Sequence, residues 1–155
     1  MFKRILLAVD GSDYSRDVIP AAAEVAAKFD ADVFVLHVFE RDLGRAGAFP
    51  METPDEATKI VSNAVAALKA KGVQAEGEVQ HAISGHAAKH IVETAQTRNC
   101  DLIVMGSRGL SDLGGLLLGS VTHKVLQLAH VPVLVIKHER VPSPALSGAA
   151  SSARA

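Results

Sequence analysis

The stretch from Met105 to Val121, M-G-S-R-G-L-S-D-L-G-G-L-L-L-G-S-V, decides how the whole chain is read. Ahead of it stands the apolar run Asp101-Leu-Ile-Val-Met105, and behind it V-T-H-K-V-L-Q-L, Val121 to Leu128, carries a helical pattern. A strand, a glycine-rich loop and a helix start in that order make a candidate anion site. Glycine lets backbone amides approach a ligand, and the first turn of a helix offers unbonded N–H groups at the positive end of its dipole. Gly106 and Gly109 bracket Ser107 and Arg108, and Gly119 and Ser120 follow after nine further residues. Ser120 is placed to cap the helix and to offer its hydroxyl to a phosphate. Arg108 adds a donor fork suited to phosphate oxygens. The same glycines also fit a plain connection in which they only relieve strain, and the motif by itself leaves both readings open.

Working outward, Ile5 to Val9 is a short continuous apolar run, the pattern of a strand covered on both faces. Asp10-Gly-Ser-Asp-Tyr-Ser15 is turn and cap chemistry, with Ser12, Asp13 or Ser15 available as N-cap. A helix is expected from about Ser15 to Phe29, with Pro20 bending its first turns. Asp32 to Phe39 reads as a second apolar strand. Glu40 to Pro54 reads as a long loop, and its Arg41 and Arg45 fit either a ligand lid or a solvated connection. Asp55 to Lys71 repeats apolar residues at three and four and stops at Gly72. Gln74 to His81 alternates, as a half-exposed edge strand does. A third helix, capped by Ser84, is expected to reach about Asn99, a fourth to run from Gly119 to Leu128, and a last strand to span Val131 to Lys137.

Five strands alternating with four helices imply a parallel sheet with right-handed crossovers and helices on both faces. In such sheets ligands bind at the carboxyl ends of the strands, where the strand order reverses. In the order 3-2-1-4-5 the first and fourth strands are neighbours at that point. Asp10 and Gly106, 96 positions apart, then face one crevice. Asp10 suits two roles there: a carboxylate accepting from ribose hydroxyls or an adenine amine, or a turn residue.

The 155 residues suit one domain over about 1–140, and the Pro, Ser, Gly and Ala of 141–155 read as a disordered tail. A hydrophobic share of 48% with 21% charged residues fits a globular chain. The net charge of −1 supplies no global basic field for nucleic acid or an anionic membrane. Cys100 is the single cysteine, which excludes an intrachain disulfide and suits a reducing compartment. The opening apolar run stops at Asp10, too short for a signal peptide or a bilayer span, so a cytoplasmic location is expected.

The pattern G-x-x-G, nine residues, G-S after a late strand resembles the ATP-binding signature of the universal stress protein family. Lys3-Arg-Ile-Leu-Leu-Ala-Val-Asp-Gly-Ser12 is similar to that family's opening strand and loop, and His37-Val38 to the end of its second strand. The likeness covers about residues 1–138. It implies a Rossmann-like open sheet and an ATP site, with Mg²⁺ as the possible counterion. Ala8, Val9 and Asp10 would line base and ribose, the Val38 backbone would read the adenine edge, and Met105 would cover the sugar. Gly106, Arg108, Gly109, Gly119, Ser120 and Val121 would hold the phosphates. Gly114-Gly115 departs from the pattern and makes ordering that loop costlier. The resemblance also implies a homodimer in which the last strand pairs antiparallel with its copy, covering an apolar edge.

Catalytic machinery is sparse. The chain holds neither a Walker A lysine loop nor the S-G-G-x-D-S loop of pyrophosphate-cleaving synthetases. Asp112 and His123 stand near the motif, but no third group orients either one, so both read as solvated. His86 and His90 share a helix face near His81, yet no further ligand converges for a metal, and they read as surface histidines. Cys100 reads as an inert core thiol with no evident cationic neighbour. The expectation is a nucleotide-dependent stress-response sensor or adaptor acting on an unknown protein partner. The alternatives are a slow ATPase or AMP-forming enzyme, a cAMP-binding variant, and a pure protein-interaction module.

Overall fold

The computed structural model describes residues 1–41, 52–107 and 118–137. Strand and helix alternate: β1 Arg4–Val9, α1 Asp13–Phe29, β2 Asp32–Arg41, α2 Pro54–Ala70, β3 Ala75–Ile83, α3 Ala87–Thr97, β4 Leu102–Gly106, α4 Ser120–Leu128 and β5 Val133–Ile136. The five strands form one parallel sheet, as the alternation predicts, in the expected order β3-β2-β1-β4-β5.

Side-chain parity explains why helices lie on both faces. Ile5, Leu7 and Val9 of β1 join Val33 and Val35 of β2 in one cluster with Val18 and Ala22 of α1 and Val61 and Leu68 of α2. Their neighbours Leu6, Phe34 and Leu36 point the other way, against Ala88 and Ile91 of α3 and Val125 of α4. The sheet is buried between these two cores, and every helix pins one apolar stripe to it.

The amino end of β1 is fastened by Asp101, whose carboxylate accepts from Lys3 N (2.7 Å) and Arg4 N (3.1 Å), while Asp101 N donates to Arg4 O (2.8 Å). At the other end, β1 stops at Asp10. Its Oδ1 accepts from Ser12 N, Ser12 Oγ and Ser15 Oγ at 3.0, 2.6 and 2.7 Å, and Asp10 N donates to Ser15 Oγ. This knot starts α1 at Asp13, two residues before the expected start, and α1 runs through Pro20 as one helix.

Further expectations need correction. α2 starts at Pro54 rather than Asp55, because Thr53 and Glu56 form a reciprocal capping box and Pro stands at the first helical position, where no amide is needed. α3 is not capped by Ser84: it starts at Ala87 after a turn through Gly85 at φ +84°. Its Ala87 amide donates instead to the Glu40 carboxylate (2.8 Å), brought by a strand that extends to Arg41 rather than ending at Phe39. Ser120 is not the cap of α4. Gly119 is, with extended φ −68° and ψ 157°, and Ser120 is the first residue inside the helix. The last strand covers Val133–Ile136 rather than Val131 to Lys137, since Pro132 has no amide to give the ladder and contributes only its carbonyl, to Ile103 N. The expected tail from Val141 lies outside the described residues.

Candidate functional site

β1 and β4 are neighbours, with Ala8 level with Met105, so Asp10 and Gly106 emerge side by side at the point where the strand order reverses. A cavity of about 400 Å³ opens there, within the size range of small-molecule sites. Nine sequence-predicted site residues line it: Ala8, Val9, Asp10, Val38, Met105, Gly106, Gly119, Ser120 and Val121. The other two, Arg108 and Gly109, lie outside the described residues, as do Asp112, Gly114 and Gly115.

The two ends of the glycine-rich segment meet. Gly119 N donates to Ser107 O (2.7 Å), and the buried Thr122 donates its hydroxyl to Gly106 O (2.8 Å). Ser107 in turn is held by its amide donating to Ile136 O (2.8 Å). The start of α4 is thereby bolted to the tip of β4. Gly119 provides no side-chain cap and the first turn of α4 holds no acidic residue, so its positive dipole end meets no carboxylate from its own helix. The start of α3 differs. Glu40 lines the same cavity and occupies that terminus with its carboxylate.

The walls divide by chemistry. On the α3/α4 side Ala8, Leu36, Val38, Ala87, Ile91, Met105 and Val121 give an apolar surface. On the α1/α2 side stand Val9, Asp10, Ser15, His37 and Glu52. Asp10, Glu40 and Glu52 are carboxylates, and among the described residues no Lys or Arg lines the cavity. Asp10 fills the turn role expected of it through Oδ1, and it stands in the cavity wall as well.

His37 and Glu52 form a contact that reading the chain alone misses. His37 as a residue is 2% exposed; its ring Nδ1 lies 2.8 Å from Val9 O, and Nε2 lies 2.8 and 3.0 Å from the Glu52 carboxylate oxygens. Within a run of apolar residues His37 drew notice only through a family resemblance, although a polar ring inside a doubly covered strand is itself a signal.

The remaining candidates fall elsewhere. His123 is exposed on α4 and is not part of the cavity wall. Among the described residues no group of three or more His, Cys, Asp or Glu side chains is placed to hold a metal ion. His90 Nδ1 faces Gln80 Oε1 (3.1 Å) and His86 Nδ1 faces Ser84 O (3.2 Å). Cys100 is buried, and that burial pushes its thiol up to about 11. The expectation of no cationic neighbour is corrected: Arg4 and Arg98 pull the thiol down, but desolvation outweighs them. No helix among the described residues is long and apolar enough to cross a membrane.

A parallel α/β domain with a crevice at its switch point, bordered by Gly106 at a strand end and by an uncapped helix start at Gly119, defines a class of mononucleotide-type sites. Within that class the sequence profile of the Universal stress protein family matches residues 1–137. Universal stress protein YxiE of Bacillus subtilis is 35% identical over 151 residues, covering 88% of this chain and all of its own. Two solved universal stress proteins share the fold. That of Archaeoglobus fulgidus in complex with dAMP has a TM-score of 0.64 and 25% identity, over 88% of this chain and 98% of its own. Another, in complex with cAMP, has a TM-score of 0.64 and 27% identity, over 87% of this chain and 97% of its own. The chain belongs to the universal stress protein family.

Proposed function

We propose that this protein binds an adenine nucleotide, ATP with Mg²⁺ foremost, in the switch-point cavity and acts as a cytoplasmic, nucleotide-dependent stress-response sensor or adaptor. The observation that carries the reading is the clasp between Ser107 and Gly119, which sets an uncapped helix start at one end of a cavity whose α3/α4 side is apolar. Phosphate oxygens are attracted to a helix N-terminus with free amides. Glu40 already neutralises the start of α3, so the charge pattern directs the phosphates to α4 and the base toward Val38 and Ile91. The carboxylates Asp10 and Glu52 favour a donor-rich group such as a ribose and repel phosphate from that end. Family members solved with dAMP and cAMP support the adenine part of the reading.

Titration calorimetry with ATP, AMP and cAMP, each with and without Mg²⁺, is the test. Absence of heat at millimolar nucleotide removes the proposal, and cAMP outcompeting ATP replaces it with a cyclic-nucleotide receptor. Gly119→Val supplies the site-directed arm. At φ −68° and ψ 157° any residue fits the backbone, so the fold should persist while the new branched side chain blocks the approach of phosphate. Turnover retained in wild type and lost at Asp112 or His123 would instead favour a slow ATPase. Partner capture unaffected by Gly119→Val would favour a pure interaction module.

A further inference from the structure

We propose that His37 and Glu52 are a positioning pair for the nucleoside end of the cavity, a role that rests on the nucleotide reading above. Val9 and His37 are level in the parallel β1–β2 pair, and the ring reaches across to the Val9 carbonyl at 2.8 Å. A carbonyl only accepts, which puts a proton on Nδ1. The Val9–Asp10 peptide is therefore held by the imidazole on its carbonyl side and by Ser15 Oγ on its amide side (3.1 Å). That peptide sets where the Asp10 carboxylate starts.

The other ring nitrogen meets Glu52, and the contact ties the approach to α2 onto the α1/α2 wall of the cavity. With Nδ1 protonated, the ring and a carboxylate share one further proton between Nε2 and Oε2. The imidazole side chain is 3% exposed and that of Glu52 22%, so Glu52 stands between the ring and the cavity. Without it only mobile water would meet Nε2, and the ring would lose the contact that fixes its orientation. The Val9 carbonyl then loses its side-chain donor, and the peptide from which Asp10 starts is held less firmly. His37 thus acts on the ligand through Asp10, and Glu52 acts through His37.

Isothermal titration with AMP and with ATP, on wild type and three variants, tests this. Glu52→Ala should weaken AMP and ATP by the same factor, about tenfold, because both nucleotides share the nucleoside end. Glu52→Gln should recover most of that loss, since its amide N–H can donate to Nε2 of a ring protonated at Nδ1. Ser120→Ala, at the opposite end, should weaken ATP more than AMP. A purely structural pair would lower the melting temperature of Glu52→Ala and leave its affinities unchanged, and that result overturns the proposal. So does a histidine-ring ¹⁵N spectrum of wild type with His37 unprotonated at Nδ1. If wild type binds neither nucleotide, the binding reading itself falls and the pair's role with it. Binding by wild type with an unaltered Glu52→Ala rejects the pair alone.

Discussion

At Gly77 a methyl group would stand 2.7 Å from the Val35 carbonyl oxygen and 2.7 Å from Val61 Cγ1. Neither a sheet carbonyl nor a core valine yields cheaply, so Gly77→Ala should destabilise the fold by about 2 kcal/mol, as overpacking does. Urea unfolding measures it, and a loss within about 0.5 kcal/mol would contradict the packing described. Cys100 gives a second residue-level expectation. With its thiol raised to about 11, almost no thiolate exists in the folded protein at pH 8, and disulfide reagents should label it only as fast as the chain unfolds. The same shift has a sign. Above the ordinary thiol value the unfolded chain loses this proton while the folded one keeps it, so stability declines as pH rises toward 11. Cys100→Ala should flatten that decline in urea titrations at pH 8 and 10.5.

For single elements, local chemistry suffices at some boundaries and fails at others. The capping box of α2 lies within four consecutive residues, T-P-D-E, and is legible there in principle; Pro54 read as loop punctuation hides it. Thr53→Ala should cost about 1 kcal/mol. The amide and hydroxyl of Thr53 hold Glu56 below the usual carboxylate range. Its contribution is complete above the ordinary glutamate value and fades as pH falls through the lowered one. Wild type should lose stability across that acid range while Glu56→Gln changes less, as guanidinium unfolding at pH 7 and 3 would register. The start of α3 was not legible locally, because its cap arrives from Glu40, 47 positions earlier. The ends of β2 and β3 are fixed by each other, Arg41 level with Ile83, and no local pattern records that. The existence of the interior strands is legible because burial on both faces leaves a continuous apolar run. His37 is hidden for the same reason: the run that betrays its strand conceals its side chain.

On the scale of the molecule, two tests address function and assembly. If the cavity binds nucleotide in the folded state alone, ligand at a hundred times its Kd should add about 2.7 kcal/mol of stability, visible as a rise in Tm. The second concerns β5. Pro132 and Ile136 turn their carbonyls toward β4, so by alternation the backbone groups of Val133 and Val135 point to the open edge. Val135→Pro removes an outward amide and none of the inner ladder. If β5 pairs with its copy, as the family resemblance implies, sedimentation should give a dimer for wild type and a monomer for this variant, with the far-UV spectrum retained. The parallel sheet is legible from alternation, and the meeting of Asp10 with Gly106 follows once the order 3-2-1-4-5 is taken; the chemistry of the α1/α2 wall is not legible, since Glu52 reaches it from outside the sheet. The Asp101 clasp, finally, bears on handling: it anchors Lys3 and Arg4 at the amino edge of the sheet, a strand's length of about 20 Å from the crevice. A biotin tag or sensor-chip linkage ahead of Met1 should therefore hold the molecule by its floor, leaving the mouth open to solution for immobilised measurements.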